Sequence, residues 1–168
     1  GMVTWLIVRY RWKAALSEYR TALEEGLVSD GGRVSEELLG NLIRLRERVP
    51  RSGKWRKRLA RTEGDVYQAL LDRVLADGVM TGGERRRLRA LEELVSMPAE
   101  VVLAVKLEVF EAAYVDAVAD RRITEEEYER LHNLAAGLEI PSDTVKWEME
   151  VVEDIRRAQE LESPLPEM

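Results

Sequence analysis

Apolar residues recur along the chain at steps of three and four positions, the spacing that places side chains on one face of an α-helix. This periodicity predicts a first helix over residues 4–26 and a second over residues 36–49. Five further helices are predicted over residues 63–76, 82–96, 98–119, 125–137 and 143–161. No segment alternates apolar and polar residues in the way that predicts a β-strand. The pattern therefore predicts an all-α protein.

The predicted helix ends coincide with residues that cap or interrupt helices. Gly26 ends the first helix as its C-cap, and Pro50 stops the second directly after residue 49. Ser35 and Thr124 stand directly before later helices, where a side-chain oxygen can cap the free amides. The helix over residues 98–119 is apolar nearly all round, which is typical of a central, buried helix.

Two segments match without a gap at an offset of 43 residues. The matched positions include turn residues as well as apolar ones: Tyr67 with Phe110, Asp77 with Asp120, Met80 with Ile123, Thr81 with Thr124, Glu84 with Glu127, Leu88 with Leu131, Leu91 with Leu134 and Pro98 with Pro141. A weaker third copy begins at Asp30. Such self-similarity is the signature of a repeat architecture. We therefore expect stacked helical hairpins over residues 4–49, 63–96 and 98–137, closed by the last helix.

The repeated turn combines an Asp, a hydrophobic residue, a Thr and a Glu at fixed spacing, and it has two interpretations. In the first, each Thr and Glu form a capping box: Thr81 with Glu84, and Thr124 with Glu127. In the second, the acidic residues bind a hard cation such as calcium together with carbonyl oxygens of the turn. The acidic residues in question are Asp77, Glu84, Asp120 and Glu127.

The repeated turn resembles the duplicated motif of the TerB-like tellurite-resistance domains. The resemblance lies in residues 76–84 and 119–127 and covers roughly residues 63–161. It implies an all-helical domain of membrane-associated stress-response assemblies, with a divalent cation, calcium or manganese, at Asp77, Glu84, Asp120 and Glu127. The chain departs from the family pattern at Arg121, which replaces a Gly, and at Leu38, which stands where the first hairpin would have a Glu.

The residue content excludes several classes of catalytic site. The chain has no Cys and a single His, His132, so thiolate metal sites, catalytic thiols and multi-histidine sites cannot be built. The many carboxylates are accompanied by no nucleophile–base pair and no phosphate-binding loop. We therefore predict that the protein is not an enzyme and that His132 is a surface residue of a helix.

Charge is distributed unevenly along the chain. Residues 1–89 hold 19 Lys and Arg and 12 Asp and Glu, a net charge of +7, whereas residues 90–168 hold 7 and 20, a net charge of −13. Residues 44–61 contain nine basic residues, one acid and an aromatic residue, a composition typical of phosphate binding on nucleic acid or anionic lipid. The candidate residues are Arg51, Lys54, Trp55, Arg56, Lys57 and Arg58. The alternative is a solvated linker that pairs with the acidic half, and the acidity of the whole chain argues against nucleic acid.

The N-terminal segment changes character within a few residues. Val3 to Val8 is apolar on all sides, and basic residues interleaved with aromatic ones follow up to Lys13. This order is typical of the cytoplasmic end of a membrane helix, but the apolar run is too short to span a bilayer. One interpretation is a cytoplasmic domain tethered through an apolar segment that precedes this sequence. The other is an amphipathic helix that docks on the hairpins.

The chain is predicted to have three parts: a hairpin with a basic connector over residues 1–62, a duplicated TerB-like domain over residues 63–162, and a tail over residues 163–168. The favoured function is a non-catalytic interaction or stress-sensing module that binds a divalent cation at its acidic turns. The alternative is a scaffold that binds only other proteins, with an anionic membrane surface as a further partner.

Overall fold

The computed structural model describes residues 1–28, 33–77 and 80–162. Within these ranges the chain forms seven α-helices and no strand, which confirms the predicted all-α class. The helices are α1 (Met2–Leu23), α2 (Glu36–Glu47), α3 (Gly53–Asp77), α4 (Gly82–Val95), α5 (Ala99–Val118), α6 (Glu125–Gly137) and α7 (Lys146–Glu162), and a π-helical turn, Glu24–Val28, extends α1. Six of them agree with the predicted ranges to within three residues at each end.

The exception is α3, which begins at Gly53 rather than near residue 63. The prediction of a basic connector is therefore wrong, because this stretch is helical. Trp55, Leu59 and Thr62 recur at helical spacing, and their exposed fractions are 4%, 3% and 6%. These three positions give the helix a buried face, and the basic residues between them hide the periodicity in the sequence.

The helices belong to two compact units. The first unit comprises Gly1–Arg73 and Gly82–Met97, and the second comprises Val74–Thr81 and Pro98–Met168. The predicted limit at residue 62 lies inside α3 and coincides with no limit of either unit. The first unit holds 19 Lys and Arg and 13 Asp and Glu, a net charge of +6, and the second holds 7 and 19, a net charge of −12. The charge asymmetry of the sequence therefore follows this division.

The first unit has an apolar core that contains one buried carboxylate. Fully buried apolar side chains come from its helices and the π-helical turn: Leu23, Leu27, Leu42, Leu71 and Leu91. Among the buried residues, Glu63 of α3 pairs with Arg46 of α2 at 3.2 Å and accepts a hydrogen bond from the Tyr19 hydroxyl of α1 at 3.4 Å. Burial raises the pKa of the Glu63 carboxyl, and the Arg46 guanidinium lowers it in part. This carboxylate therefore joins three helices.

The second unit packs α5 against α6, and α7 is tied to α6 by an ion pair between Arg156 and Glu125 at 2.7 Å. Its buried apolar side chains include Phe110, Leu131, Leu134, Leu138 and Val152. The prediction that the helix of residues 98–119 is central and buried is wrong for part of its surface. Val101 and Val115 of α5 are 47% and 59% exposed, so α5 buries only one of its apolar faces.

Two helices 43 residues apart, α4 and α6, end in the same way. Ser96 after α4 and Glu139 after α6 both adopt a positive φ, 49° and 57°. At each end the next amide donates to the carbonyl five residues earlier, at 3.1 Å and 3.0 Å. This is the Schellman arrangement, in which a left-handed residue ends a helix. The two ends therefore share one backbone geometry at the offset found in the sequence.

Candidate functional site

The second repeated turn lies between α5 and α6, and its acidic side chains accept hydrogen bonds from backbone amides. Thr124 and Glu127 form the predicted capping box: the Glu127 amide donates to Thr124 Oγ1 at 3.1 Å, and the Thr124 amide donates to Glu127 Oε2 at 3.2 Å. Asp120 Oδ1 accepts from the Arg122 amide at 3.0 Å. Both acidic residues of this turn therefore have a structural role.

A side chain of α7 closes the same turn. Gln159 Oε1 accepts from the Ile123 amide at 2.5 Å, and Gln159 Nε2 donates to the Ile123 carbonyl at 2.9 Å. Ile123 itself is buried before the N-cap, in the hydrophobic position expected there. This contact could not be predicted from the sequence, because a Gln on a polar helix face has no distinguishing pattern. Hydrogen bonds from side chains of α6 and of α7 therefore both hold this turn in place.

The first repeated turn is described only in part. Asp77 is the last residue of α3 and Glu84 lies in the first turn of α4, but the Asp77 side chain and residues 78–79 are outside the described residues. Residues 30–32, where the third copy begins, are also outside them. Among the side chains that are described, no three acidic or His residues are close enough together to hold a metal ion. Cation binding at Asp77, Glu84, Asp120 and Glu127 stays a prediction.

Glu127 also borders a groove of about 380 Å³ in the second unit. Asp116 of α5 and Arg130 of α6 line the same groove, together with apolar side chains. A calcium ion takes six to eight oxygen ligands. The two carboxylates would therefore need backbone or water oxygens to complete such a site.

A larger groove, of about 490 Å³, lies between α6 and α7. Its floor is apolar: Ala135, Ala136, Ile140, Val145 and Met149. Its rim is charged or polar: His132, Lys146, Glu150, Glu153 and Arg157. His132 is exposed here, as predicted, with its ring 4.5 Å from the Tyr128 ring. An apolar floor inside a charged rim is the arrangement by which proteins bind peptide segments and helices.

The predicted polyanion-binding residues lie around the start of α3. Trp55 is buried and contacts Trp12 of α1 edge to face, with ring centroids 5.8 Å apart. The five basic candidates are exposed: Arg51, Lys54, Arg56, Lys57 and Arg58. The aromatic member of the set therefore belongs to the core, and its basic members are accessible. Polyanion binding by this stretch stays a prediction.

Comparison with protein-family models finds no match to this chain, and comparisons with curated proteins and with solved structures find none either. The resemblance to TerB-like domains stays a prediction. Within the described ranges, no helix combines the length and the apolar character that crossing a bilayer requires.

Proposed function

We propose that this chain is a non-catalytic helical interaction module, and that its second unit binds an amphipathic helix of a partner protein. The observation that carries the proposal is the groove between α6 and α7. Ala135 and Ala136 on its floor have small side chains, so the backbone of a bound helix can approach α6 closely. Met149 adds a flexible thioether side chain that adapts to the shape of an apolar partner.

The rim of the groove favours a helix over other apolar ligands. It carries both charge signs, with Lys146 and Arg157 beside Glu150 and Glu153. An amphipathic helix has an apolar stripe flanked by polar and charged residues, which matches an apolar floor between mixed charges. A polyanion does not fit this site, because the second unit has a net charge of −12.

The partner can be captured with a photo-crosslinking amino acid at position 149 in the host cell. A captured protein is then purified, and its affinity is measured by calorimetry for the wild type and for Ala136→Glu. Ala136 is exposed on the groove floor, so the substitution leaves the core intact. We expect the buried charge to weaken binding by at least about tenfold, because an unpaired carboxylate in an apolar interface is costly.

Ala104→Glu is the matched control, because Ala104 is also an exposed helical alanine and borders neither groove described above. Its affinity for the partner should equal that of the wild type. The crosslinking amino acid is also placed at position 104 as a control. The proposal fails if Ala136→Glu binds as tightly as Ala104→Glu, or if the crosslinker at position 149 captures no protein beyond those captured at position 104.

The TerB-like resemblance extends this proposal to a stacked hairpin repeat with a stress-sensing role. The matched ends of α4 and α6 support the repeat, because a duplicated hairpin is expected to keep its backbone caps. In this extension a divalent cation at Asp77, Glu84, Asp120 and Glu127 would regulate partner binding. Calorimetric titration with calcium or manganese tests this extension. If no heat of binding is measured at millimolar cation, only the scaffold function remains.

A further inference from the structure

The first two turns of α1 form a largely exposed apolar tip, which we define as Met2–Val8; Thr4 is its one polar residue and Val8 is half-buried. Met2 and Val3 are 79% and 70% exposed, and Trp5, Leu6 and Ile7 are all more than half exposed. The first buried side chain of α1 is Ala15, so the tip extends beyond the part of the helix that packs on the first unit.

The exposed apolar side chains of the tip cover a wide arc of the helix rather than a narrow stripe. Consecutive residues of an α-helix are 100° apart, so Trp5, Leu6 and Ile7 span about 200° of the circumference, and Met2 and Val3 fall within the same arc. A protein groove contacts a helix through one face, at positions three and four residues apart. An exposed apolar arc of about 200° is wider than one such face, and an apolar medium such as a lipid bilayer can bury all of it.

A group of basic residues follows the apolar tip directly. Arg9, Arg11 and Lys13 alternate with Tyr10 and Trp12, and no acidic residue occurs in residues 1–17. Aromatic and basic residues in this order are enriched at the boundary between lipid tails and headgroups. The Arg9 guanidinium lies 5.3 Å from the Trp5 ring, and the Arg9 side chain can extend along the tip with its charge directed toward water.

The start of α3 adds positive charge beside this part of α1. The contact of Trp12 with Trp55 brings the two segments together, and Lys54 and Arg58 lie 5.8 Å and 5.1 Å from the Trp55 ring. Residues 48–62 contain seven Lys and Arg and no acid. We call Arg9, Arg11, Lys13, Lys54 and Arg58 the basic collar.

We propose that the apolar tip inserts into an anionic lipid surface, with the basic collar on the headgroups. Interfacial helices bury their apolar side chains about 5–10 Å deep at the boundary between headgroups and acyl chains, and the exposed arc of the tip presents five such side chains. The first unit has a net charge of +6, so it is attracted to anionic lipid although the whole chain carries −6. This inference does not depend on the proposed partner groove, which belongs to the second unit.

Sedimentation with lipid vesicles tests the insertion. We expect the wild type to bind phosphatidylcholine vesicles that contain about 30% phosphatidylglycerol, and to bind pure phosphatidylcholine much more weakly. Each Lys or Arg near such a surface contributes about fivefold to partitioning, so Arg9→Glu/Arg11→Glu should lose at least about 25-fold. Leu6→Glu/Ile7→Glu should abolish binding, since it places charge in the inserted turns.

Matched controls separate this site from general charge and hydrophobicity. Val101→Glu/Val115→Glu changes two exposed apolar residues of α5, and Arg121→Glu/Arg122→Glu reverses two exposed charges. Both variants should bind vesicles like the wild type. All substituted residues are exposed, and circular dichroism should give the wild-type spectrum for each variant.

Insertion depth has an independent readout in Trp5. Lipids brominated in the upper acyl chain should quench the tryptophan fluorescence of the wild type more than that of Trp5→Phe. This comparison needs no disruptive substitution, because Phe keeps an aromatic side chain in the tip. The proposal is overturned if anionic vesicles do not bind, if Leu6→Glu/Ile7→Glu binds as well as the wild type, or if Trp5 is not quenched. It is also overturned if the tip forms a dimer in sedimentation velocity that anionic vesicles do not dissociate.

Discussion

Gly137 lies in the last turn of α6, where a close contact with another segment of the second unit leaves no room for a larger side chain. A Cβ atom at this position would lie 2.9 Å from the Cβ atom of Met80. Neither atom can move by rotating a side chain, so the backbone would have to shift. Helix propensity alone favours Ala over Gly by about 1 kcal/mol. The glycine is therefore explained by packing and not by its place in the helix.

We expect Gly137→Ala to destabilise the protein by about 1–3 kcal/mol, the usual cost of an added group in a well-packed site. Urea unfolding followed by circular dichroism measures the change. The sign is informative, because helix propensity by itself would give the opposite effect.

Gly64→Ala in α3 serves as the control, because a Cβ atom there would have no neighbour within 4 Å. This variant should gain about 1 kcal/mol from propensity alone. A stabilised Gly137→Ala would contradict the close contact with Met80.

Side chains that act on their own backbone could be predicted from the sequence, and those that act at long range could not. Ser35 and Thr124 were identified as N-caps, and each accepts a hydrogen bond from the amide three residues later. Glu63 binds side chains 17 and 44 residues away, and Gln159 binds a turn 36 residues away. Such contacts depend on the relative placement of helices, which spacing along the chain does not specify.

At the scale of helices, α3 illustrates how charge hides a helical pattern. Its first turns are mostly basic at exposed positions, and the buried positions are two apolar residues and Thr62. Because Thr62 is polar and Trp55 stands among basic residues, the stretch is similar in composition to a solvated linker. The helix could have been predicted from the spacing of Trp55, Leu59 and Thr62 alone.

In the second unit, Glu111 of α5 and Glu148 of α7 are close enough for their carboxylates to interact. Burial and the neighbouring Glu148 carboxylate raise the pKa of the Glu111 carboxyl. Burial and these two carboxylates also raise the pKa of the Tyr114 hydroxyl. Protonation of Glu111 therefore favours the folded state, and this contribution to stability is complete below the ordinary carboxyl pKa. It is lost as the pH rises through the raised pKa of the folded state.

We expect Glu111→Gln to stabilise the protein at pH 7, because the neutral amide resembles the protonated carboxyl and removes the repulsion from Glu148. The gain should be about 0.5–1 kcal/mol, since the pair is partly solvated, or about 2–4 °C in melting temperature for a chain of this size. Near pH 4 the gain should disappear, because the wild-type carboxyl is then protonated. Thermal unfolding at both pH values measures it.

Glu108→Gln on the same helix is the control, because Glu108 is exposed. It removes the same charge from α5, and at pH 7 it should change the melting temperature by much less than Glu111→Gln. If Glu111→Gln behaves like this control, the two glutamates do not interact across the helices.

For the whole molecule, the helical class and the number of helices could be predicted from periodicity. The 3.6-residue period of each helix does not depend on how the helices are arranged. The groove between α6 and α7 could not be predicted from periodicity, because its floor combines residues from two helices and the turn that connects them. The exposure of the apolar tip was equally hidden. Apolar residues on all sides of a helix are compatible with a buried core and with an open surface.

The division into units of net charge +6 and −12 governs how copies of the molecule interact in concentrated solution. At about 0.01 M salt, charges act over about 30 Å, so oppositely charged units of neighbouring molecules attract each other. Added salt screens this attraction, and we expect the osmotic second virial coefficient from light scattering to rise between about 10 mM and 300 mM NaCl. A coefficient that falls over this range would mean that the net charge of −6 dominates as repulsion. In colloidal terms we expect the protein to behave as a patchy particle that becomes more soluble as salt is added.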